Sequence, residues 1–415
     1  MTKSPKKNVE QSQSPSHPEG WHTVRYGDVA KKIRNIVDRR NCDLDRFVAG
    51  EHMRTDDFRI DEWGTIDDGY LGPAFDHKFS KGQILYGSRR TYLRKVSIPQ
   101  FDGVCANTTF VIEPTGDDLV PELLPFVMQS AGFNDHSIRK SKGSTNPYIS
   151  WNDIACYEFA IPDKEQQRRI ATTLWAAEDC IMKGERFLVT MERAKQVLMG
   201  VLFSKGMNFF DPTKTKLLIE NAIPLGEICE FKNGINFTKA EKGNSGILTV
   251  DVKNMYSLGV HVNYDNLYRV NKKIDERYHL KEKDLLIVRS SLKVEGVGWV
   301  ALAEKLTEPT TFCGFIIRLR VKSHEVDPVF LTYYLRSESG RANLISSSGK
   351  NLITNISQEM LSPITIPLPP LPEQRQIAGI LTRCDETIAA ARANVGVAKA
   401  LKMKMINEML GAEGK

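Results

Sequence analysis

No stretch of the 415 residues reaches the ~18 uninterrupted apolar residues of a membrane span. The seven cysteines, at 42, 105, 156, 180, 229, 313 and 384, are scattered, with no C-x-x-C pair. Their odd number and spacing exclude a disulfide framework and a thiolate zinc site, so reduced thiols in a cytoplasm are expected. The eight histidines show no paired metal-ligand spacing, and no metal is expected. Nucleotide loops are missing too. Gly296-Val297-Gly298 lacks a third glycine, and Gly349-Lys350 lacks both the upstream glycine and the following Ser/Thr. Asn146-Pro147-Tyr148 has one proline where an amino-methyltransferase tetrapeptide would have two, and no cofactor glycine motif accompanies it. No catalytic residue, metal or cofactor is therefore assigned. Residues 1–20 carry lysines, serines and prolines without an apolar run, which suggests a disordered tail rather than a secretory signal.

What is present is an ordinary globular composition, 41% hydrophobic and 26% charged, long enough for two to three domains at ~150 residues each. The net charge of +6 is not spread evenly. Residues 21–160 hold 18 Lys+Arg against 20 Asp+Glu, a net of −2; residues 221–369 hold 19 against 16, a net of +3. Nucleic-acid affinity would have to come from local basic faces rather than from overall charge.

The chain repeats itself. A shift of 207 pairs Pro162 with Pro369, Gln167 with Gln374, Arg168 with Arg375, Ala171 with Ala378, Ile149-Ser150 with Ile356-Ser357, and Leu124 with Leu331. Nearer the start the shift drifts to about 200, where Glu51-His52-Met53-Arg54 meets Lys253-Asn254-Met255-Tyr256. So long a period excludes a solenoid and reads as a duplicated domain-plus-helix unit. Each copy ends in a helical pattern whose apolar or small positions step 4, 3, 4, 3. The first seam runs through Ile170, Leu174, Ile181 and Leu188, the second through Ile377, Leu381, Ile388 and Val395, each with a lysine at its eighth position (Lys195, Lys402). That is the heptad seam of a coiled coil, and about forty residues give ~60 Å of helix. Asp163 and Glu373 suit the positive end of the helix dipole, beside prolines that tolerate a first turn.

The expected fold class is α+β: two duplicated mixed α/β domains, each followed by a long helix. The boundaries read as a tail 1–20, a first domain 21–160, a helix 161–204, a linker 205–222, a second domain 223–367 and a helix 368–412. β-type runs occur at 83–86, 109–112, 246–250, 284–288 and 315–319, and helices at 123–129 and 329–336.

Basic residues cluster in two windows of each copy. Between Asp76 and Asp102 no acid occurs, while Arg89, Arg90 and Arg94 do, with Tyr92 interleaved. A second window holds Lys140, Lys142, Ser144 and Asn146. The later copy offers Arg289, Ser290 and Lys293, then Lys350 and Asn351. Arg and Lys neutralise phosphates, while Arg, Asn and Ser read base edges. Arg54 and Asn254 join the candidates by placement.

The run Leu368-Pro369-Pro370-Leu371-Pro372-Glu373-Gln374-Arg375-Gln376-Ile377-Ala378, with the duplicated layout, resembles the DNA specificity subunit of type I restriction–modification systems. The first copy departs from it by lacking the extra prolines; the likeness covers 21–412. The resemblance implies that each globular part is a target-recognition domain reading one half of a split double-stranded DNA sequence. It implies that the helices form an antiparallel coiled coil that sets the spacing and docks methyltransferase subunits, two per complex, with restriction subunits joining through that complex. A spacer of ~60 Å covers less than two turns of DNA at about 34 Å each. Methyl transfer, ATP-driven translocation and cleavage would then belong to partners, and this chain would be a non-catalytic recognition subunit. The competing reading is a stand-alone DNA methyltransferase or nuclease, against which the missing cofactor motifs speak.

Overall fold

The computed structural model describes residues 19–38, 43–66, 71–205, 222–257, 259–291, 296–346 and 355–410. Lys293, Lys350 and Asn351, most of the 1–20 tail and most of the 205–222 linker lie outside them. The chain divides into two compact units, 1–183 with 395–415, and 184–394.

In the first unit a four-stranded antiparallel sheet runs in the order Ala30–Ile33, Thr109–Pro114, Ile84–Gly87, Val96–Ser97. Residues of its inner strands are buried on both faces, so alternate side chains enter different cores. Ile84, Tyr86, Phe110 and Ile112 pack toward the helices, while Leu85 and Val111 join Val48, Phe79 and Cys105 of a second sheet. That sheet runs Gly64–Thr65, Arg46–Val48, Gly103–Ala106, Phe75–Phe79, with its middle pair parallel. A two-stranded pair, His22–Arg25 against Glu158–Ile161, leads into the long helix Lys164–Lys205.

The second unit has the same plan. Its antiparallel sheet runs Cys229–Asn233, Ile316–Val321, Leu285–Val288, Val300–Leu302. Leu285 and Ile287 face one core, Leu286 and Val288 the other. The companion sheet runs Lys242–Gly243, Tyr268–Val270, Ile247–Val250, Thr310–Phe312, again with one parallel pair. Ala222–Pro224 pairs with Thr365–Pro367 ahead of the helix Leu371–Leu410.

The repeated glutamine explains why a Pro…Gln-Arg run opens each helix. Gln167 Nε2 donates to the carbonyls of Asp118 (3.0 Å) and Pro162 (2.9 Å), and its Oε1 accepts from Val120 N at 2.7 Å. Gln374 does the same with Glu325 (2.8 Å), Pro369 (2.8 Å) and Asp327 N (2.9 Å). Both amides are buried and use both donors and the acceptor, so each helix is pinned to its own globular part by main-chain groups. Asp163 Oδ1 accepts from Gln166 N at 2.9 Å, so the acid expected at the positive end of the dipole also caps the first turn.

All eight seam residues, Ile170, Leu174, Ile181, Leu188, Ile377, Leu381, Ile388 and Val395, are buried. They are not equivalent. Ile170 and Leu174 belong to the core of the first unit, together with Ile406 and Leu410; Ile377 and Leu381 belong to that of the second, together with Met199 and Leu202. The seam lysines have acidic partners. Lys402 pairs with Glu178 in the first unit, and Lys195 with Asp385 in the second, where Arg392 also meets Glu192. Among the described residues no helix is long and apolar enough to cross a membrane, and the six described cysteines are free.

Candidate nucleic-acid interface

The strand Ile84–Gly87 ends at Ser88, and the next residues leave the sheet. Arg90 and Arg94 take left-handed conformations, φ 52° and 47°, on either side of a single 3-10 turn, Thr91–Leu93. Only a few per cent of non-glycine residues adopt φ above zero, and such backbone collects at functional sites. The turn is fastened from below. Thr91 is buried and its hydroxyl shares a hydrogen bond with that of Ser141 at 2.9 Å. Arg89 and Arg90 point outward.

The fold brings the two basic windows of this unit together. Tyr148 exchanges main-chain bonds with Lys142 at 2.8 and 2.9 Å and forms a bridge with Arg89. Arg90 N donates to the Pro147 carbonyl at 2.6 Å, and its Nε donates to Asn146 Oδ1 at 3.2 Å. Arg89, Arg90, Tyr92, Lys142, Ser144 and Asn146 thus lie on two joined segments and are all exposed. Lys140 is exposed in the last turn of the helix Ala131–Lys140, where a cation complements the dipole.

Charge is not equally available across this face. Lys142 Nζ lies 3.2 Å from Asp153, and hydrogen bonds from Ser150 and Lys142 hold the Asp153 carboxyl below its ordinary range. Lys95, beside the turn, is lowered by partial burial and by the like charge of Arg90. Arg94 is ion-paired with Asp56. Arg54 donates to Asp61 at 2.9 Å on the surface, so its charge is already matched. Arg89 and Arg90 remain as the cations most directly presented.

In the second unit Arg289 and Ser290 follow the strand Leu285–Val288 as Ser88 and Arg89 follow Ile84–Gly87. Arg289 O accepts from Ile356 N at 2.8 Å, as Ser88 O accepts from Ile149 N at 3.0 Å. Arg289 Nε donates to Asn355 Oδ1 at 3.2 Å, and Ser290 bridges to Asn355. An arginine–asparagine pair therefore stands at each face, though not at equivalent positions.

One candidate is removed. Asn254 is 3% exposed, its Oδ1 accepts from Asp251 N at 3.1 Å, and its Nδ2 donates to the Asp265 carbonyl at 3.2 Å. Its amide closes a short helical turn and offers nothing to a ligand; the repeat offset placed it at the surface because offsets carry no burial. Conversely, charge counting passed over three groups. Tyr148 is 49% exposed beside Arg89, as Tyr92 is at 52%. Phe315 is exposed, and its carbonyl accepts from Arg289 N at 2.9 Å. Asn355 ends the second basic window but, carrying no charge, is not among the contacts chosen from it. Only the strand pairing makes these residues neighbours. No cluster of side chains able to hold a metal ion occurs among the described residues.

Comparison with known proteins places these faces in context. Residues 221–395 match the type I restriction modification DNA specificity domain. The MjaVIII specificity subunit of a type I restriction enzyme from Methanocaldococcus jannaschii is 24% identical over 95% of this chain and 92% of its own length. The StySPI specificity subunit from Salmonella potsdam is 24% identical over 87% of this chain and 81% of its own. The solved S subunit of a type I restriction-modification system from M. genitalium superposes with a TM-score of 0.58 at 14% identity, over 97% of this chain and 98% of that one. A chain from a structural study of type I system assembly and conformational transition gives 0.58 at 19%, over 95% and 98%. The repeated plan of the fold, the match of residues 221–395 and the coverage of 81–92% of the relatives' own lengths agree: along nearly its whole length this chain is similar to the DNA specificity subunits of type I restriction–modification systems.

Proposed function

We propose that each unit reads one half of a bipartite duplex target through the face built around Arg89, Arg90 and Asn146 in the first and Arg289, Ser290 and Asn355 in the second. The two long helices act as an antiparallel coiled coil that fixes the gap between the half-sites and docks two methyltransferase subunits, to which restriction subunits attach. The domain limits are those read from the sequence, 21–160 and 223–367, with helices 161–204 and 368–412. The chain itself is non-catalytic: it supplies sequence choice, and the partners supply methyl transfer and cleavage.

One observation carries this reading. The cross-helix pairs Glu178–Lys402 and Asp385–Lys195 are the same pair under the 207-residue shift, since 178 + 207 = 385 and 195 + 207 = 402. An acid on one helix meeting a lysine on the other, twice and reciprocally, is what an internal two-fold predicts for a duplicated chain with antiparallel helices. In the second unit Glu192 pairs with Arg392 while Lys195 pairs with Asp385, so the partner number falls as the first rises, which supports the antiparallel sense.

The test is methylation mapping of the host genome with and without this chain. A split motif that disappears on deletion supports the reading. If Arg89→Ala with Arg90→Ala degrades both half-motifs equally, or neither, the assignment of one half to each unit is wrong.

A further inference from the structure

We propose that Asp56 is a positioning residue: it holds Arg94 of the first recognition face in place and ties that face to the seam lysine Lys402. The inference rests on reading 89–95 as a DNA-facing segment.

The geometry converges on Asp56 from two sides. Its carboxylate is ion-paired with the Arg94 guanidinium, and its main-chain N donates to Arg94 O at 3.2 Å. The neighbouring residues Thr55 and Lys95 form a bridge, so the two segments run together. Both Asp56 (φ 54°) and Arg94 (φ 47°) are left-handed. With Arg90 they supply three of the six non-glycine residues of positive φ among the described residues. Such backbone persists only where its surroundings over-determine it. From the other side, Lys402 Nζ donates to the Asp56 carbonyl at 3.3 Å while bonding Glu178 at 2.8 Å, and it lies 5.2 Å from the centre of the Phe58 ring. The second carboxylate oxygen of Asp56 is buried without a hydrogen-bond partner, so the anion is committed to Arg94. Burial raises this carboxyl, and Arg94 and Lys402 only partly offset the rise.

A phosphate approaching Arg94 competes with Asp56 for the same guanidinium. Asp56 therefore restrains non-specific backbone contact and aims Arg94, and a shift of Lys402 changes that restraint.

The experiment measures affinity of the full-length chain, purified with its partner subunits, for a random-sequence 40-base-pair duplex across a salt series. Asp56→Asn is expected to tighten binding several-fold and to steepen the salt slope by about one, because Arg94 is left uncompensated. In an Arg94→Ala background, the same change is expected to have no effect, since there is then no guanidinium for the carboxylate to restrain. Equal effects of Asp56→Asn with and without Arg94 would overturn the positioning role. If Arg89, Arg90 and Arg94 can all be replaced by alanine without weakening binding, the face itself is misassigned and both readings fall. The tie to the helix is tested by Lys402→Met combined with Glu178→Gln, expected to shift affinity in the direction of Asp56→Asn. Lys402→Arg, which keeps the charge and the donors, is expected to restore parental behaviour. Parental affinity in both helix variants would sever Lys402 from the proposal.

Discussion

Lys402 Nζ donates to Glu178 Oε2 at 2.8 Å, and both side chains are only 3% exposed. Two charges so far from water are costly unless each has a partner, and here the lysine also reaches the Asp56 carbonyl. The pair sits at a position where an all-apolar seam would pack more simply. A polar seam residue that finds its partner in only one register makes alternative alignments unfavourable. The same chemistry at Lys195 and Asp385 includes a third group, Tyr333, whose hydroxyl donates to Asp385 Oδ2 at 2.7 Å.

Removing one member of the first pair leaves the other buried and uncompensated. Glu178→Ala is expected to destabilise the first unit by about 3–5 kcal/mol. Glu178→Leu with Lys402→Met is expected to recover most of that loss. Thermal unfolding of the parent, the single variant and the double variant checks it. Equal losses in the single and double variants would contradict a coupled pair.

Seam positions separate into two kinds. Leu174 and Leu381 pack in globular cores, so charged substitutions there are expected to unfold their units rather than part the helices cleanly. Leu188 and Ile388 are buried outside the main core clusters. Leu188→Ala and Ile388→Ala are each expected to cost about 2–4 kcal/mol. Combined, they should also weaken co-purification with methyltransferase subunits, while duplex affinity of the recognition faces is retained. Retained co-purification would argue that docking lies elsewhere.

Arg89→Ala with Arg90→Ala is expected to weaken binding to duplex DNA and to lower the salt slope by ~1–2. Arg289→Ala should lower it by about one. Arg54→Ala is expected to change it little, because Asp61 already neutralises that guanidinium. A filter-binding salt titration distinguishes these outcomes, and a large effect of Arg54→Ala would show that the surface pair opens on binding.

Asp57 gives a pH dependence. Burial by itself raises its carboxyl, but hydrogen bonds from Arg59 Nε (3.0 Å), Nη2 (2.7 Å) and N (3.0 Å) outweigh this and hold it below the ordinary value. A carboxyl lowered in the folded state adds stability above its unfolded pKa of ~3.9 and loses it as pH falls through the folded value. Asp57→Asn is therefore expected to be less stable than the parent at pH 7, with the difference shrinking below about pH 4. A difference that stays constant into acid would assign the effect to packing rather than charge.

Much of the architecture is legible in the residues. The strands at 84–87, 109–114, 247–250, 285–288 and 316–321 coincide closely with the β-type runs, because buried central strands need contiguous branched and aromatic side chains. The two long helices follow from a seven-residue pattern, and the place of Asp163 at a helix start from the dipole it complements. Apart from Ile247–Val250, the second sheet of each unit was not legible. Its strands are short, such as Arg46–Val48 and Lys242–Gly243, and a run of two or three residues carries no periodicity to detect. The basic faces were legible as charge but not as availability. Arg54, Arg94 and Asn254 look like Arg90 and Asn146 in a sequence, and only their partners tell them apart.

By itself the sequence determined the repeated spacing, the long helices and the places where basic residues gather, because these depend on spacing along the chain. Tertiary structure alone decided that Gln167 and Gln374 pin the helices to main-chain carbonyls, that Lys402 meets Glu178, and that Asp56 occupies Arg94. Each of these is a contact between residues 38 or more positions apart, or between a side chain and a backbone group. Burial and hydrogen-bond saturation belong to the folded neighbourhood of a residue, and no local pattern encodes them.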